Sequence, residues 1–136
     1  MLRHVFSLIV LVFLVANLPV VAAGQEVPAG KWWYNNKIQK NLNLNRNEID
    51  QLDDLFAKSR RKLIKLKSEV ENEQFELDQL LGKKKVDDAE VKKQFQKLEK
   101  ARNKLANERL QFVVGVRNIL GHDRFQQLKS NYKKWQ

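Results

Sequence analysis

Apolar residues recur at alternating steps of three and four along two long stretches of this chain. From Ile49 the series runs through Leu52, Phe56, Ser59, Leu63, Leu66, Val70, Glu73, Leu77 and Leu80, and eight of these ten are apolar. A second series runs through Val91, Phe95, Leu98, Arg102, Leu105, Arg109, Phe112, Val116 and Ile119. Such spacing lines one face of an α-helix and, sustained over several heptads, makes a coiled-coil seam. The stretch LNLNRNEIDQL opens the first series. Its leucine alternation suggests a strand, but Asn45 followed three places later by Glu48 is a capping-box signature for a helix start. Asp87 with Glu90 repeats it before the second series.

These signals predict an all-α chain of four helices. A short first helix covers about 31–41. The second runs from the Asn45 cap to about Leu81, the third from Asp87 to about Leu120, and the fourth from about Asp123 to Lys134. No proline occurs from Lys31 onward, so nothing interrupts long helices. Folding back at Gly82-Lys83-Lys84-Lys85 pairs Leu77 with Val91, Val70 with Leu98, Leu63 with Leu105, Phe56 with Phe112 and Ile49 with Ile119. One register satisfies the whole antiparallel hairpin, roughly 50 Å long at 1.5 Å per residue. In that register Arg102 faces Leu66 and Arg109 faces Ser59, each with its stem on the seam and its guanidinium in water. The third helix is apolar almost all round near Leu110, Val113, Val114 and Leu120. Partners there are expected from Trp32, Trp33, Ile38 and Leu42 of the first helix, Phe125, Leu128, Tyr132 and Trp135 of the fourth, or a second copy of the chain.

The first 23 residues belong to a different pattern. Met1-Leu2-Arg3-His4 is a short positive start, Val5 to Val21 is apolar except for Ser7, Asn17 and Pro19, and Val21-Ala22-Ala23 offers small residues for cleavage. This reads as a secretory signal peptide, with an uncleaved membrane anchor as the alternative. Residues 24–30 follow as a Pro/Gly linker, and 31–136 form the helical domain. Either way the domain sits outside the cytoplasm, in the periplasm. The chain has no cysteine and a net charge of +10, which becomes +9 once Arg3 leaves with the signal. Stability then rests on packing alone, and the charge points to acidic proteins, unfolded chains or anionic surfaces as partners rather than nucleic acid.

Catalysis has little to stand on. The mature chain holds one histidine, His122, and no GxSxG, HExxH or phosphate-cradling glycine loop. Its carboxylates lie among lysines on helix faces, where solvated i,i+4 pairing accounts for them. No enzyme activity and no cofactor are expected. His122 beside Asp123 is a weak candidate metal ligand without a second histidine near it. Trp32-Trp33-Tyr34 reads first as core. Ser59-Arg60-Arg61-Lys62 with Lys65 and Lys67, and with Leu55 and Ile64 beside them off the seam, form a basic band interleaved with aliphatic groups. With Arg102 and Arg109 this band is the candidate surface for sequence-tolerant contact with unfolded protein.

The arrangement resembles the Spy/CpxP family of exported helical proteins, which includes zinc-resistance-associated and periplasmic heavy-metal-sensor members. That family carries two LTxxQ motifs, one opening the long second helix and one opening the last. Here the first position reads Leu44-Asn45-Arg46-Asn47-Glu48 and the second Leu120-Gly121-His122-Asp123-Arg124. Neither keeps its Thr or its Gln, although Asn45 and Glu48 preserve capping chemistry and Gly121 is a permissible cap. The Gly30-Lys31-Trp32-Trp33 lead-in, Leu80-Leu81 and Val86-Asp87 are similar to the heavy-metal-sensor branch. The resemblance implies a cradle-like antiparallel homodimer. It also implies an ATP-independent chaperone or envelope-stress adaptor that binds unfolded or misfolded envelope proteins, or a sensor kinase. The alternative is a heavy-metal-responsive sensor, although the histidine-rich sites of metal-binding members have no counterpart here.

Overall fold

The computed structural model describes residues 30–135. The signal peptide expected over 1–23 and nearly all of the 24–30 linker lie outside them. A 3-10 turn at Trp32–Tyr34 precedes α1 (Asn36–Leu42), α2 (Arg46–Leu81), α3 (Asp88–Leu120) and α4 (His122–Trp135). The expected first helix is thus divided. Asn35 is extended and caps α1 with its side chain, accepting from the amides of Lys37 and Ile38. Asn43, at φ 50°, ends α1 in the left-handed region that Asn tolerates. Among the described residues no helix is long and apolar enough to cross a membrane.

Capping sets the ends of the long helices. The Asn45 carboxamide accepts from Glu48 N at 2.8 Å while Glu48 Oε1 accepts from Asn45 N at 3.2 Å, a complete capping box. The Asp87 carboxylate accepts from Ala89 N at 2.9 Å and starts α3. Gly121, at φ 79°, is the single residue between α3 and α4. Its N–H donates to Arg117 O at 2.8 Å and its carbonyl accepts from Phe125 N at 3.1 Å, so it closes one helix and opens the next.

α2 and α3 form the antiparallel hairpin in the expected register. The rings of Phe56 and Phe112 stack edge-to-face with centroids 6.3 Å apart, and Gln94 reaches Glu73. Every expected seam position of α2, from Ile49 to Leu80, is buried or half-buried. On α3 the seam is rotated along part of its length. Gln94 is buried and Phe95 is 48 % exposed; Ala101 is buried and Arg102 exposed; Glu108 is half-buried and Arg109 exposed. The expected seam places of Phe95, Arg102 and Arg109 thus fall one residue earlier, while Val116 is buried as expected. The cause is visible at Glu73, a carboxylate in the α2 seam. Gln94 Nε2 donates to Glu73 O at 3.0 Å and to Glu73 Oε2 at 2.6 Å, giving the half-buried carboxylate a donor that a phenylalanine ring cannot supply.

The main core sits at the base of the hairpin, away from the turn. Six of the seven largest fully buried side chains are there: Trp33, Ile38, Leu42, Leu52, Val116 and Leu128. Each contributes about 1.5–3 kcal/mol when removed from water. The outer half has only a two-helix seam, with Leu77, Leu98 and Ala101 as its buried apolar residues. Stability is therefore concentrated at the base, where the short helices cover the hairpin.

Candidate functional site

Two flanks of the hairpin differ in charge. On one, the rungs between helices are of opposite sign: Lys62 Nζ lies 3.8 Å from Glu108 and Lys104 Nζ 3.7 Å from Glu69. The other flank is marked by Asp53, which holds the 3-10 turn, and by Gln74, which accepts from Arg102 Nη2 at 3.2 Å. Residues seven apart share a position on a coiled-coil helix. Arg60 and Lys67 therefore stand between Asp53 and Gln74 on this flank of α2, and Phe95 and Arg109 stand to either side of Arg102 on α3. The register brings Arg60 level with Arg109, and Lys67 level with Arg102, to within one residue.

This flank thus carries two rungs of like charge. Like charges about 8 Å apart in water repel by about 0.5 kcal/mol, a small cost that an anion laid across them would reverse. Arg102 shares its charge with Glu99 at 2.7 Å. Among the described residues, no acid pairs with Arg60, Lys67 or Arg109. Ile64, four residues after Arg60 and three before Lys67, stands between them and is 61 % exposed. Exposed Phe95, Leu81 and Tyr34 extend the apolar component toward the turn and toward the base. The flank can therefore offer guanidinium and ammonium groups beside unpaired apolar side chains along much of its length.

The predicted basic band does not stay together. Arg60, Ile64, Lys67, Arg102 and Arg109 lie on the cationic flank. Lys62 and Lys65 lie toward the ion-paired flank, and Arg61 points directly away from α3 by its helical position. Leu55 is half-buried. It packs against the backbone of Gly115, where an added Cβ would come within 2.7 Å of its methyl, and it adjoins the base core. Sequence reasoning left Tyr34, Phe95 and Leu81 out of the surface. Extending the heptad count from Gln74 would have found Leu81.

Asp53 anchors the lower end of this flank. Its carboxylate accepts from Trp33 Nε1 at 2.9 Å and from the Tyr34 hydroxyl, and Lys31 Nζ lies 3.7 Å away. The Tyr34 hydrogen bond, then those from Trp33 and Lys31, hold its carboxyl below the usual carboxylate range against partial desolvation. The same hydrogen bond to Asp53 raises the Tyr34 phenol above its ordinary value.

The two altered motif positions meet at the base. Arg124 donates to both oxygens of Glu48, through Nη1 to Oε1 at 3.0 Å and through Nη2 to Oε2. It also donates through Nε to Leu120 O at 2.9 Å and through Nη1 to Leu42 O at 3.4 Å. One side chain in α4 thus ties the end of α1, the start of α2 and the end of α3. The Arg124 hydrogen bonds lower the Glu48 carboxyl below its usual range and raise the Arg124 guanidinium. The fifth residues of the two motif positions, Glu48 and Arg124, have become an ion pair.

The model of the heavy-metal resistance family matches residues 6–127, most of the chain. The protein belongs to the heavy-metal resistance family. That family is related to the all-helical periplasmic Spy/CpxP proteins, in agreement with the resemblance carried by the two motif positions. Comparison with curated proteins and with solved structures returned no match. In this family member His122 is exposed and its Nδ1 lies 2.9 Å from Asp123 Oδ1, beside the Gly121 link. Among the described residues no three His, Cys, Asp or Glu side chains are grouped so as to hold a metal ion.

Proposed function

We propose that this heavy-metal resistance family member is a non-catalytic envelope chaperone or stress adaptor. It holds unfolded or misfolded proteins on the cationic flank of its hairpin, without nucleotide. The observation that carries this reading is the pair of like-charged rungs, Arg60 with Arg109 and Lys67 with Arg102, standing around exposed Ile64. Charge steers an unfolded chain to the flank, and shallow apolar contacts to Ile64, Phe95 and Tyr34 retain it. Because each contact is small, binding is sequence-tolerant and reversible.

The test is suppression of aggregation of several unrelated unfolded clients, followed by light scattering. The protein should suppress scattering at equimolar or lower ratio. R60E with R109E should weaken this at least several-fold, and K62E with K65E, on the opposite side, should not. Absence of suppression with every client, or equal loss in both pairs, would refute the assignment. A metal-responsive role is a second reading, favoured by the family's description. Calorimetric titration with zinc, copper, nickel and cobalt tests it, with H122A expected to abolish any heat of binding.

A further inference from the structure

The ion-paired flank of the hairpin opens where its ladder should continue. Lys62 and Glu108 close one rung at 3.8 Å, and Glu69 and Lys104 close the next at 3.7 Å. One heptad further toward the turn, Glu76 follows Glu69 on α2 and Lys97 precedes Lys104 on α3, so these two are placed for a third rung. That rung does not close. Glu76 and Lys97 instead line a cleft of about 230 Å³, together with Leu80 from α2 and Glu90, Lys93 and Gln94 from α3. Among the described residues, none of the four charged groups forms an ion pair. Gln94 is the buried member of the lining, only 8 % exposed. Its Nε2 is committed to Glu73, which fixes the carboxamide and leaves Oε1 without a donor among the described residues.

We infer that this cleft binds a small zwitterion carrying a primary ammonium, a carboxylate and a short aliphatic group, the chemistry of an aliphatic amino acid. A primary ammonium has three donors and no acceptor, and Glu76, Glu90 and Gln94 Oε1 supply one acceptor for each. Lys93 and Lys97 supply a cation for each oxygen of a carboxylate. Leu80, half-buried, is the apolar wall for the aliphatic group. The four charges sum to zero. A simple cation or anion is therefore attracted by two of them and repelled by two, whereas a molecule with both signs gains from all four. The cleft is smaller than the roughly 300–1,000 Å³ of drug-sized sites, which sets the size of the ligand. An exposed lysine–glutamate rung contributes little stability, so leaving it open for a ligand costs the hairpin little. The occupant would join α2 to α3 in the outer half, where only the two-helix seam holds them. The site lies on the flank opposite the cationic rungs, and its binding does not depend on the chaperone assignment.

The Gln94 carboxamide is a local reporter, because its side-chain N–H signals can be followed by NMR in the isotope-labelled full-length chain. L-leucine should shift these signals saturably, with a Kd of about 1 mM, in the range of small ligands in open sites. Two analogues each delete one charge and keep the aliphatic group: isoamylamine lacks the carboxylate and isocaproate lacks the ammonium. Each should bind at least about tenfold more weakly than leucine, because each meets two like charges without its compensating group. E76Q and K97Q should each weaken leucine about fivefold or more. Both side chains are exposed, so the fold is retained. E69Q with K104Q, which opens the neighbouring rung, should leave the leucine Kd unchanged. The inference fails if leucine at about twenty times the expected Kd leaves the Gln94 signals unmoved. It also fails if either analogue binds as tightly as leucine, or if E69Q with K104Q weakens binding as much as E76Q does.

Discussion

The Glu48–Arg124 pair predicts a measurable coupling between the two motif positions, which are far apart in sequence. Only 13 % of the Glu48 side chain and 29 % of the Arg124 side chain are accessible, so the pair is only weakly screened by solvent. R124Q removes two charge-assisted hydrogen bonds, weakens the hold on two helix-end carbonyls and leaves a largely buried carboxylate without its cation. Hydrogen bonds to charged groups contribute about 1.5–3 kcal/mol each at most, and orphaning a fully buried ion costs about 3–5 kcal/mol. With partial exposure and the Asn45 amide still bound to Glu48, the expected loss for R124Q is about 2–3 kcal/mol, and for E48Q about 1–2 kcal/mol. The double variant restores two amides that can bond to each other, so its loss should be about 1.5 kcal/mol smaller than the sum of the single losses. Urea unfolding followed by circular dichroism at pH 7 measures all four corners of the cycle. A coupling below about 0.3 kcal/mol would show that the two positions act independently and would refute the argument. The pair also predicts a pH dependence. Because the folded Glu48 carboxyl is held below its ordinary value, its stabilisation is complete above the usual glutamate range near 4.3. It is lost as the pH falls through the lowered folded value. The acid loss of stability should therefore be shallower in E48Q than in the parent, with the Asp53 contribution remaining in both.

Three further substitutions test local features. Gly121 holds a positive φ between two helices, so G121A should cost about 1–2 kcal/mol although its side would meet no atom within 4 Å, and the loss should appear as a lower urea midpoint. G115A should be neutral to destabilising by up to about 2 kcal/mol because its Cβ presses on Leu55, yet in an L55A background the same change should stabilise by about 1 kcal/mol; equal effects in both backgrounds would refute the close approach. Ser59 Oγ is buried without a hydrogen-bond partner among the described residues, so S59A should raise stability by about 1 kcal/mol, read as an upward shift of the thermal midpoint.

Much of the fold was legible because its signals are local. The Asn45 and Asp87 caps, the missing prolines and the three-four spacing each act within a turn or two of helix, and the long helices begin and end where those signals stand. The hairpin register was legible too, because the turn fixes one end and the apolar pairs must meet at equal distances from it. The division of the first helix at Asn35 was less visible, since Asn35 and Asn36 offer alternative caps and only the packing of Trp33 against Phe56 and Asp53 selects one. The candidate surface was legible in its residue types and not in its grouping. A basic run read along the chain mixes residues that a helix distributes around its circumference, as Arg60, Arg61 and Lys62 show.

The rotation of α3 marks the boundary between sequence and tertiary structure. Spacing alone determined that α3 has an apolar face and which residues pair along the hairpin. Adjacent residues on a helix differ by about 100° around its axis, and a three-four pattern is satisfied equally well by either of two neighbouring choices at every other step. Phe95 is the more apolar choice and Gln94 the one that donates to the half-buried Glu73 carboxylate, so the decision belongs to the opposite helix. The same rotation moved Arg102 and Arg109 out of the seam and placed them level with Lys67 and Arg60. The cationic flank exists because two helices, each unremarkable in composition, were turned to bring like charges together on one side and opposite charges on the other.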